Sequence, residues 1–288
     1  MMATLQEFKT SEKSWWCPGC GDFGVLAAMQ KALVAVGAEP GTTAIVAGIG
    51  CSGKLGNYIN SYNIHVTHGR TLPAALGLKL ANRDLLVLAA GGDGDAYAIG
   101  MGHFMHALRR NVNVTYIVMD NHIYGLTKGQ TSPTSEEAFK TKTTPRGSID
   151  RPVHPLMLAV SAGATFVAQG FSSWQPQLAR LIQQGIEHPG FALVNVISPC
   201  VTYNKVNTYD WYKKTLVNLD GDAAYDPHDR PKALARLDAT GELVTGLIYQ
   251  EESVPYEAQI PGFSDIPLVA QDWHVDDSTW DRIVSSFS

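Results

Sequence analysis

Asp93 lies among three glycines, Gly91, Gly92 and Gly94, and Asn121 follows it 28 positions later. Bare backbone around a carboxylate lets amides approach an anion closely while the acid stays free to hold a cation. A carboxylate, a side-chain amide oxygen and glycine amides make a hard oxygen site suited to Mg²⁺ and a diphosphate, with waters and phosphate oxygens completing the octahedron. A GDG triplet alone most often marks a tight turn. Its distance to Asn121, however, is what one helix and one strand need to return to the same sheet edge.

The elements around these two residues are legible. LLVLAA, residues 85–90, is a short run too apolar for an exposed helix and reads as a buried strand. Residues 98–110 then place Ile99, Phe104, Ala107 and Leu108 on one helical face, with the helix N-terminus aiming amides and positive dipole at the glycine turn. Residues 112–119 form a second buried strand that delivers Asp120 and Asn121. In a parallel sheet both strands end at one edge, so Asp93 and Asn121 come together there.

The four cysteines are the other chemistry-bearing set. In Cys17-Pro18-Gly19-Cys20 the proline and glycine bend the chain so that both thiols can reach one metal. A helix then starts near Asp22, with Val25, Leu26, Met29 and Leu33 inward. Cys51 and Cys200 each follow a strand, residues 43–49 and 191–197, at the carboxyl edge already assigned to the oxygen site. Four thiolates fit tetrahedral zinc or a cubane cluster. Zinc usually takes two close pairs and only one pair is close here. A thioredoxin-like dithiol is disfavoured because no such βαβ pattern surrounds the pair. His68 and Arg70 flank Gly69 in a turn that suits diphosphate contacts, and Pro73 opens the next helix.

Composition narrows the class. With 288 residues, 45% of them hydrophobic, the chain can bury a large core, and a net charge of −5 without a basic run argues against a nucleic-acid surface. No apolar stretch reaches the roughly 20 residues needed to span a bilayer, and the first residues lack the apolar core of a signal peptide, so a cytoplasmic, reducing setting is expected. Residues 135–153 read as an exposed loop or lid, 154–162 and 174–187 as helices, and 164–168 as a strand. The expected organisation is an α/β domain over 1–200 and an aromatic, acidic, proline-interrupted extension over 201–288. That extension carries one helical segment at 234–250 and packs on the core or a partner.

Asp93 and Asn121 resemble the thiamin diphosphate signature, a GDG followed roughly 25–30 residues later by an asparagine, about one βαβ unit. The likeness implies Mg²⁺ on Asp93, Asn121 and the carbonyl of Ile123; the usual doubled asparagine is Asp120-Asn121 here, a mild departure because only the second residue need be a ligand. Taken in order, WCPGCGDFGVL, GIGCSGK, THGRTLPAALGLKLAN, GGDGDAYAIGMGHFMHALRRN and MDNHIYGLTKGQTSPT look like the beta subunit of the two-subunit 2-oxoacid:ferredoxin oxidoreductases, from Trp15 to about Cys200.

That resemblance implies a thiamin diphosphate-binding (PP-type) α/β fold, a mostly parallel sheet flanked by helices with a C-terminal extension. It further implies CoA-dependent oxidative decarboxylation of a 2-oxoacid to acyl-CoA and CO₂, with electrons passing singly to ferredoxin through a [4Fe–4S] cluster on Cys17, Cys20, Cys51 and Cys200. The cofactor contacts it carries over are Gly50, Ser52, His68, Gly69, Gly92, Asp93, Gly94, Asp95, Asn121, Ile123, Tyr124, Gly125, Leu126 and Thr127. His68 would meet diphosphate or substrate. Lys54 would pair with the distal carboxylate of 2-oxoglutarate, which is favoured over pyruvate, and Lys128 is a second candidate. The glutamate that protonates the aminopyrimidine ring has no copy in this chain and is expected from an alpha, or fused gamma-alpha, subunit. The chain alone is then inactive, and a dimer of heterodimers is expected. Rival readings are a non-redox thiamin diphosphate decarboxylase or lyase, and an electron-transfer or zinc-binding subunit with a vestigial thiamin site.

Overall fold

Short apolar runs that alternate their side chains between two faces must be covered on both, and a parallel sheet between helical layers does this. The computed structural model describes residues 3–261, 263 and 266–287. Its strands are β1 (Thr43–Ala47), β2 (Tyr62–His65), β3 (Leu86–Gly92), β4 (Thr115–Asp120), β5 (Phe166–Phe171), β6 (Ala192–Ile197), β7 (Val217–Asn218) and β8 (Val244–Gln250). They form one sheet in the order β2-β1-β3-β4-β6-β5-β8-β7. The pairs from β2 to β5 are parallel, β8 runs antiparallel to β5, and β7 runs parallel to β8.

The alternation divides the core in two. Val46, Val87, Ala89, Tyr116, Val118 and Leu193 face one layer, packed by α2 (Thr71–Ala81), α3 (Met101–Arg110), α4 (Pro155–Ser161) and α7 (Arg230–Thr240). Ile45, Leu88, Ala90, Ile117, Met119 and Val194 face the other, packed by α1 (Asp22–Ala35) and α5 (Gln175–Glu187). Two further helices, α6 (Tyr209–Thr215) and α8 (Asp277–Ser285), follow β6 and β8. Residues 135–153 carry no regular secondary structure, although Phe139 is buried. Among the described residues no helix is long and apolar enough to cross a membrane.

Two expectations are corrected. The helix placed at 98–110 begins as a π turn over Asp95–Ile99, stops at Gly100 and resumes as α3, which leaves Ile99 53% exposed instead of inward. The cause lies at Gly100, where an added Cβ would stand 2.4 Å from the carbonyl oxygen of Asp95. The helix placed at 234–250 is half helix and half strand: Gly241, at φ +56°, ends α7 in a left-handed cap, and the β-branched and aromatic run after it forms β8. Residues after 200 therefore supply strands to the sheet itself.

Asn111 knits this framework at the edge opposite the glycine turn. It caps α3 at φ +56°, its Oδ1 accepts from the Phe191 amide at 2.8 Å and the Thr165 hydroxyl at 2.7 Å, and its Nδ2 donates to the Val254 carbonyl at 3.3 Å. Replacing it with alanine strands the buried Phe191 amide and puts a Cβ residue without side-chain hydrogen bonds into the left-handed region. Asn111→Ala should lower the free energy of unfolding by about 2–4 kcal/mol in urea titrations. A loss below about 0.5 kcal/mol would contradict this account.

Candidate active site

Parallel strands release their carboxyl ends at one edge, and the turns after β1, β3 and β4 enclose a cavity of about 600 Å³ there. Asp93, Asn121 and Ile123 line it together, with Gly50, Ser52, His68, Gly92, Gly94, Asp95, Tyr124, Gly125, Leu126 and Thr127. Gly69 does not line it; its amide donates to Asp95 from behind the wall. Lys54 is not part of the lining either, and Lys128 is exposed at φ +77°. Arg70 turns away and donates to the carbonyls of Gly69 and Ile99, both at 3.3 Å.

Asp95 proves to be a structural hub within the wall. Its Oδ1 accepts from the amides of Ile49 (3.0 Å) and Gly69 (2.8 Å) and lies 2.9 Å from His68 Nδ1, while its Oδ2 accepts from the Thr71 hydroxyl at 3.0 Å. A carboxylate so occupied holds His68 with its other ring nitrogen free. Gly48 is required here, because an added Cβ would stand 2.2 Å from Asp95 Oδ2. Tyr124 lies flat against Gly94, where a Cβ would meet its ring at 2.1 Å, and its hydroxyl donates to the Gly94 carbonyl at 3.3 Å.

Asp93, expected to stay free for a cation, lines the cavity but is 2% exposed, and its Oδ2 accepts from the Thr134 hydroxyl at 2.8 Å. Burial, and then the nearby charge of Asp120, push its pKa up to about 7, against the hydrogen bonds of Ser132 and Thr134. Asn121 Oδ1 accepts from the Ile123 amide at 3.1 Å, which folds the chain so that Asn121 and Ile123 face the same space. One carboxylate, one amide and one carbonyl suit Mg²⁺ only if a diphosphate completes the shell. Among the described residues no three His, Cys, Asp or Glu side chains, the four cysteines included, group closely enough to hold a metal by themselves.

The cysteines stand on three loops, and of the four Cys51 lines the cavity. All four are free thiols. A Cβ on Gly125 would lie 3.4 Å from Cys200 Sγ and 3.8 Å from Cys51 Sγ, so both sulfurs face the cavity wall. The Cys17–Cys20 loop is tied to Cys51 by the Trp16 indole, which donates to the Cys51 carbonyl at 2.7 Å. It is tied to the Cys200 turn by the Gly21 amide on Pro199 at 3.2 Å and the Ser198 hydroxyl on Asp22 at 2.6 Å. Burial raises the Cys51 thiol to about 11, with Asp22, Cys200 and Cys17 adding to the rise and Lys54 opposing it; Cys20 is pushed higher still, by burial first and then Asp22. A metal bound by Cys20 and Cys51 would have to displace the protons that burial holds on them.

Sequence reasoning passed over Ile49 and Gln130 in the cavity lining, and Asp120, Ser132 and Thr134 behind Asp93. The run Thr131-Ser132-Pro133-Thr134-Ser135 was the available signal, since hydroxyls so dense beside a proline make local hydrogen-bonded turns.

Comparison with known proteins places this geometry. Residues 41–196 match the thiamine pyrophosphate enzyme C-terminal TPP-binding domain, and residues 200–265 match the C-terminal part of the pyruvate ferredoxin oxidoreductase beta subunit. The 2-oxoacid:ferredoxin oxidoreductase beta subunit of Saccharolobus solfataricus is 42% identical over 88% of each chain. A 2-oxoglutarate synthase subunit of Archaeoglobus fulgidus is 44% identical over 71% of this chain and 76% of its own. The structure of 2-oxoglutarate:ferredoxin oxidoreductase from Magnetococcus marinus, with 2-oxoglutarate, coenzyme A and succinyl-CoA bound, superposes with a TM-score of 0.90 at 36% identity, over 99% of this chain and 96% of that one. With the glycine turn, Asp93 and Asn121 lying inside the first matched region, the chain belongs to the beta subunits of the 2-oxoacid:ferredoxin oxidoreductases.

Proposed function

We propose that this beta subunit, joined to an alpha or fused gamma-alpha subunit, carries out the CoA-dependent oxidative decarboxylation of 2-oxoglutarate, with pyruvate as the next candidate, and delivers the electrons singly to ferredoxin. The observation that carries the reading is that Asp93, Asn121 and Ile123 line one cavity with Cys51, while Cys200 meets the same wall at Gly125. In this reading Asp93, Asn121 and the Ile123 carbonyl hold Mg²⁺, and Gly92 and Gly94 let backbone amides approach the diphosphate. When bound, thiamin diphosphate supplies the nucleophilic carbon and the electron sink for decarboxylation. Cys17, Cys20, Cys51 and Cys200 would hold a [4Fe–4S] cluster as the outlet for single electrons.

The remaining roles fall to residues beside the cavity. His68, held through Nδ1 by Asp95, presents Nε2 toward diphosphate or substrate. Lys54, half-buried three residues after Cys51, offers an ammonium for the distal carboxylate of a dicarboxylic oxoacid. The relatives named for 2-oxoglutarate support that choice. The aminopyrimidine-protonating glutamate comes from the partner subunit, so the chain alone should not turn over.

The reading is tested by anaerobic, CoA-dependent viologen reduction by the chain co-purified with its alpha subunit, comparing 2-oxoglutarate, pyruvate and branched oxoacids. Reduction with 2-oxoglutarate ahead of the others is expected; no reduction by a preparation that contains both iron and thiamin diphosphate would favour a non-redox lyase. Lys54→Ala should raise KM for 2-oxoglutarate about ten- to a hundredfold, the loss of one charge-assisted contact, and leave KM for pyruvate nearly unchanged. Equal changes for both substrates would remove Lys54 from the specificity role. Because Asp93 keeps its proton below about 7 and a cation must displace it, Mg²⁺-dependent thiamin diphosphate binding should weaken as pH falls through 7. The loss should be about tenfold per unit below that point, read by quenching of tryptophan fluorescence. A flat affinity between pH 5.5 and 8 would show that Asp93 does not take up a proton in that range.

A further inference from the structure

Residues 131–135 run Thr-Ser-Pro-Thr-Ser and belong to no helix or strand, yet Ser132, Thr134 and Ser135 are all buried. A polar turn is buried only when its groups have partners. Within the turn, the Ser132 amide donates to Ser135 Oγ at 2.8 Å, and Ser132 Oγ lies 3.3 Å from Thr134 Oγ1. Outward from the turn there are two arms. The Thr134 hydroxyl sits 2.8 Å from Asp93 Oδ2 and 2.9 Å from Asp120 Oδ1, and the Ser135 hydroxyl donates to the His122 carbonyl at 2.7 Å.

The two arms grip the two halves of the oxygen site. Asp93 follows β3, whereas His122 is the residue between Asn121 and Ile123, after β4. His122 adopts φ +58°, a left-handed conformation that a residue with a Cβ holds only against a cost, and the Ser135 hydroxyl anchors its carbonyl in that conformation. On the other side, the single proton of Thr134 serves one of two carboxylates at a time, so the hydroxyl both separates Asp93 from Asp120 and fixes the plane of the Asp93 carboxylate. Strand pairing alone sets neither the torsion of the Asp93 side chain nor the path of the chain from Asn121 to Ile123.

We infer that the 131–135 turn is the positioning element of the cation site, with Thr134 orienting the Asp93 carboxylate and Ser135 holding the His122 backbone so that Asn121 and Ile123 face the same ion. The inference rests on the reading of Asp93, Asn121 and Ile123 as Mg²⁺ ligands. Neither hydroxyl touches the ion; each acts through a ligand or the residue joining two ligands. Outer partners of this kind set metal affinity more than they set fold stability.

The test uses the chain co-purified with its alpha subunit, with thiamin diphosphate present and Mn²⁺ in place of Mg²⁺, free Mn²⁺ being read by electron paramagnetic resonance. Thr134→Val should raise the Mn²⁺ Kd about ten- to a hundredfold, Ser135→Ala should raise it about tenfold, and Thr134→Ser, which keeps the hydroxyl, should stay within about threefold of the unmodified complex. Unmodified affinity in Thr134→Val, or a Thr134→Ser variant as weak as Thr134→Val, would overturn the inference. If Thr134→Val does not fold, Ser135→Ala decides: a raised Kd supports the positioning role, and an unchanged Kd overturns it. Absence of Mn²⁺ binding in the unmodified complex is a different result, which removes the Mg²⁺ reading itself and the inference with it.

Discussion

The Asp95 carboxylate is 2% exposed and takes hydrogen bonds from four groups: two backbone amides, a hydroxyl and an imidazole. A carboxyl group away from water is tolerated only when its oxygens have partners, so these four donors and the acid impose positions on one another. The donors belong to the turn after β1, the turn after β2 and the start of α2, while Asp95 itself follows β3. A single side chain thus closes three adjacent strand ends into one wall. The cavity, the placement of His68 and the path of the chain into Cys51 all depend on that closure.

Asp95 also opens the π turn that separates the glycine loop from α3. The Gly100 amide reaches back to the Asp95 carbonyl at 3.1 Å, and the wider turn leaves room for Gly94 to lie against the Tyr124 ring. An ordinary α-helical start at this point would aim the Asp95 side chain elsewhere. The irregularity at the head of the helix and the closure of the three strand ends are therefore one feature.

A second consequence is the joining of the oxygen site to the thiols. The Asn204 side chain donates to the Asn121 carbonyl at 3.1 Å, and its own amide donates to the Cys200 carbonyl at 3.0 Å, so the turn after β6 holds a residue of each site. Gly125 completes the link, since the space where its side chain would stand is faced by the sulfurs of Cys51 and Cys200. Burial concentrates acid in this region: Asp22, beside Cys20, is raised to about 6 by burial against hydrogen bonds from Ser198 and Cys20, just as Asp93 is raised beside Asp120. Low-dielectric pockets holding acids and thiols at one edge favour cations, which relieve both sets of groups.

What the sequence by itself determined was five of the eight strands, β1, β3, β4, β5 and β6, and the edge at which they end. Buried strands are short and apolar, so β3 and β4 could be read directly, and a parallel sheet then requires Asp93, Asn121, Cys51 and Cys200 to emerge together. Side-chain torsions, and the elements that set them, lay beyond that reasoning. The hydrogen-bonding role of Asp95 was not legible, because its four donors come from residues 24 to 46 positions away, a distance over which sequence pattern carries no register. Residues 244–250 looked helical because a buried strand and a buried helix share the same apolar content, and only pairing with β5 and β7 distinguished them. Thr134 was passed over and Ser135 read as the start of an exposed loop, since a hydroxyl's partner is decided by which strand end the fold brings within 3 Å of it. Local chemistry is written in residue types and spacing, whereas the orientation of that chemistry is a long-range property that exists only once the sheet has closed.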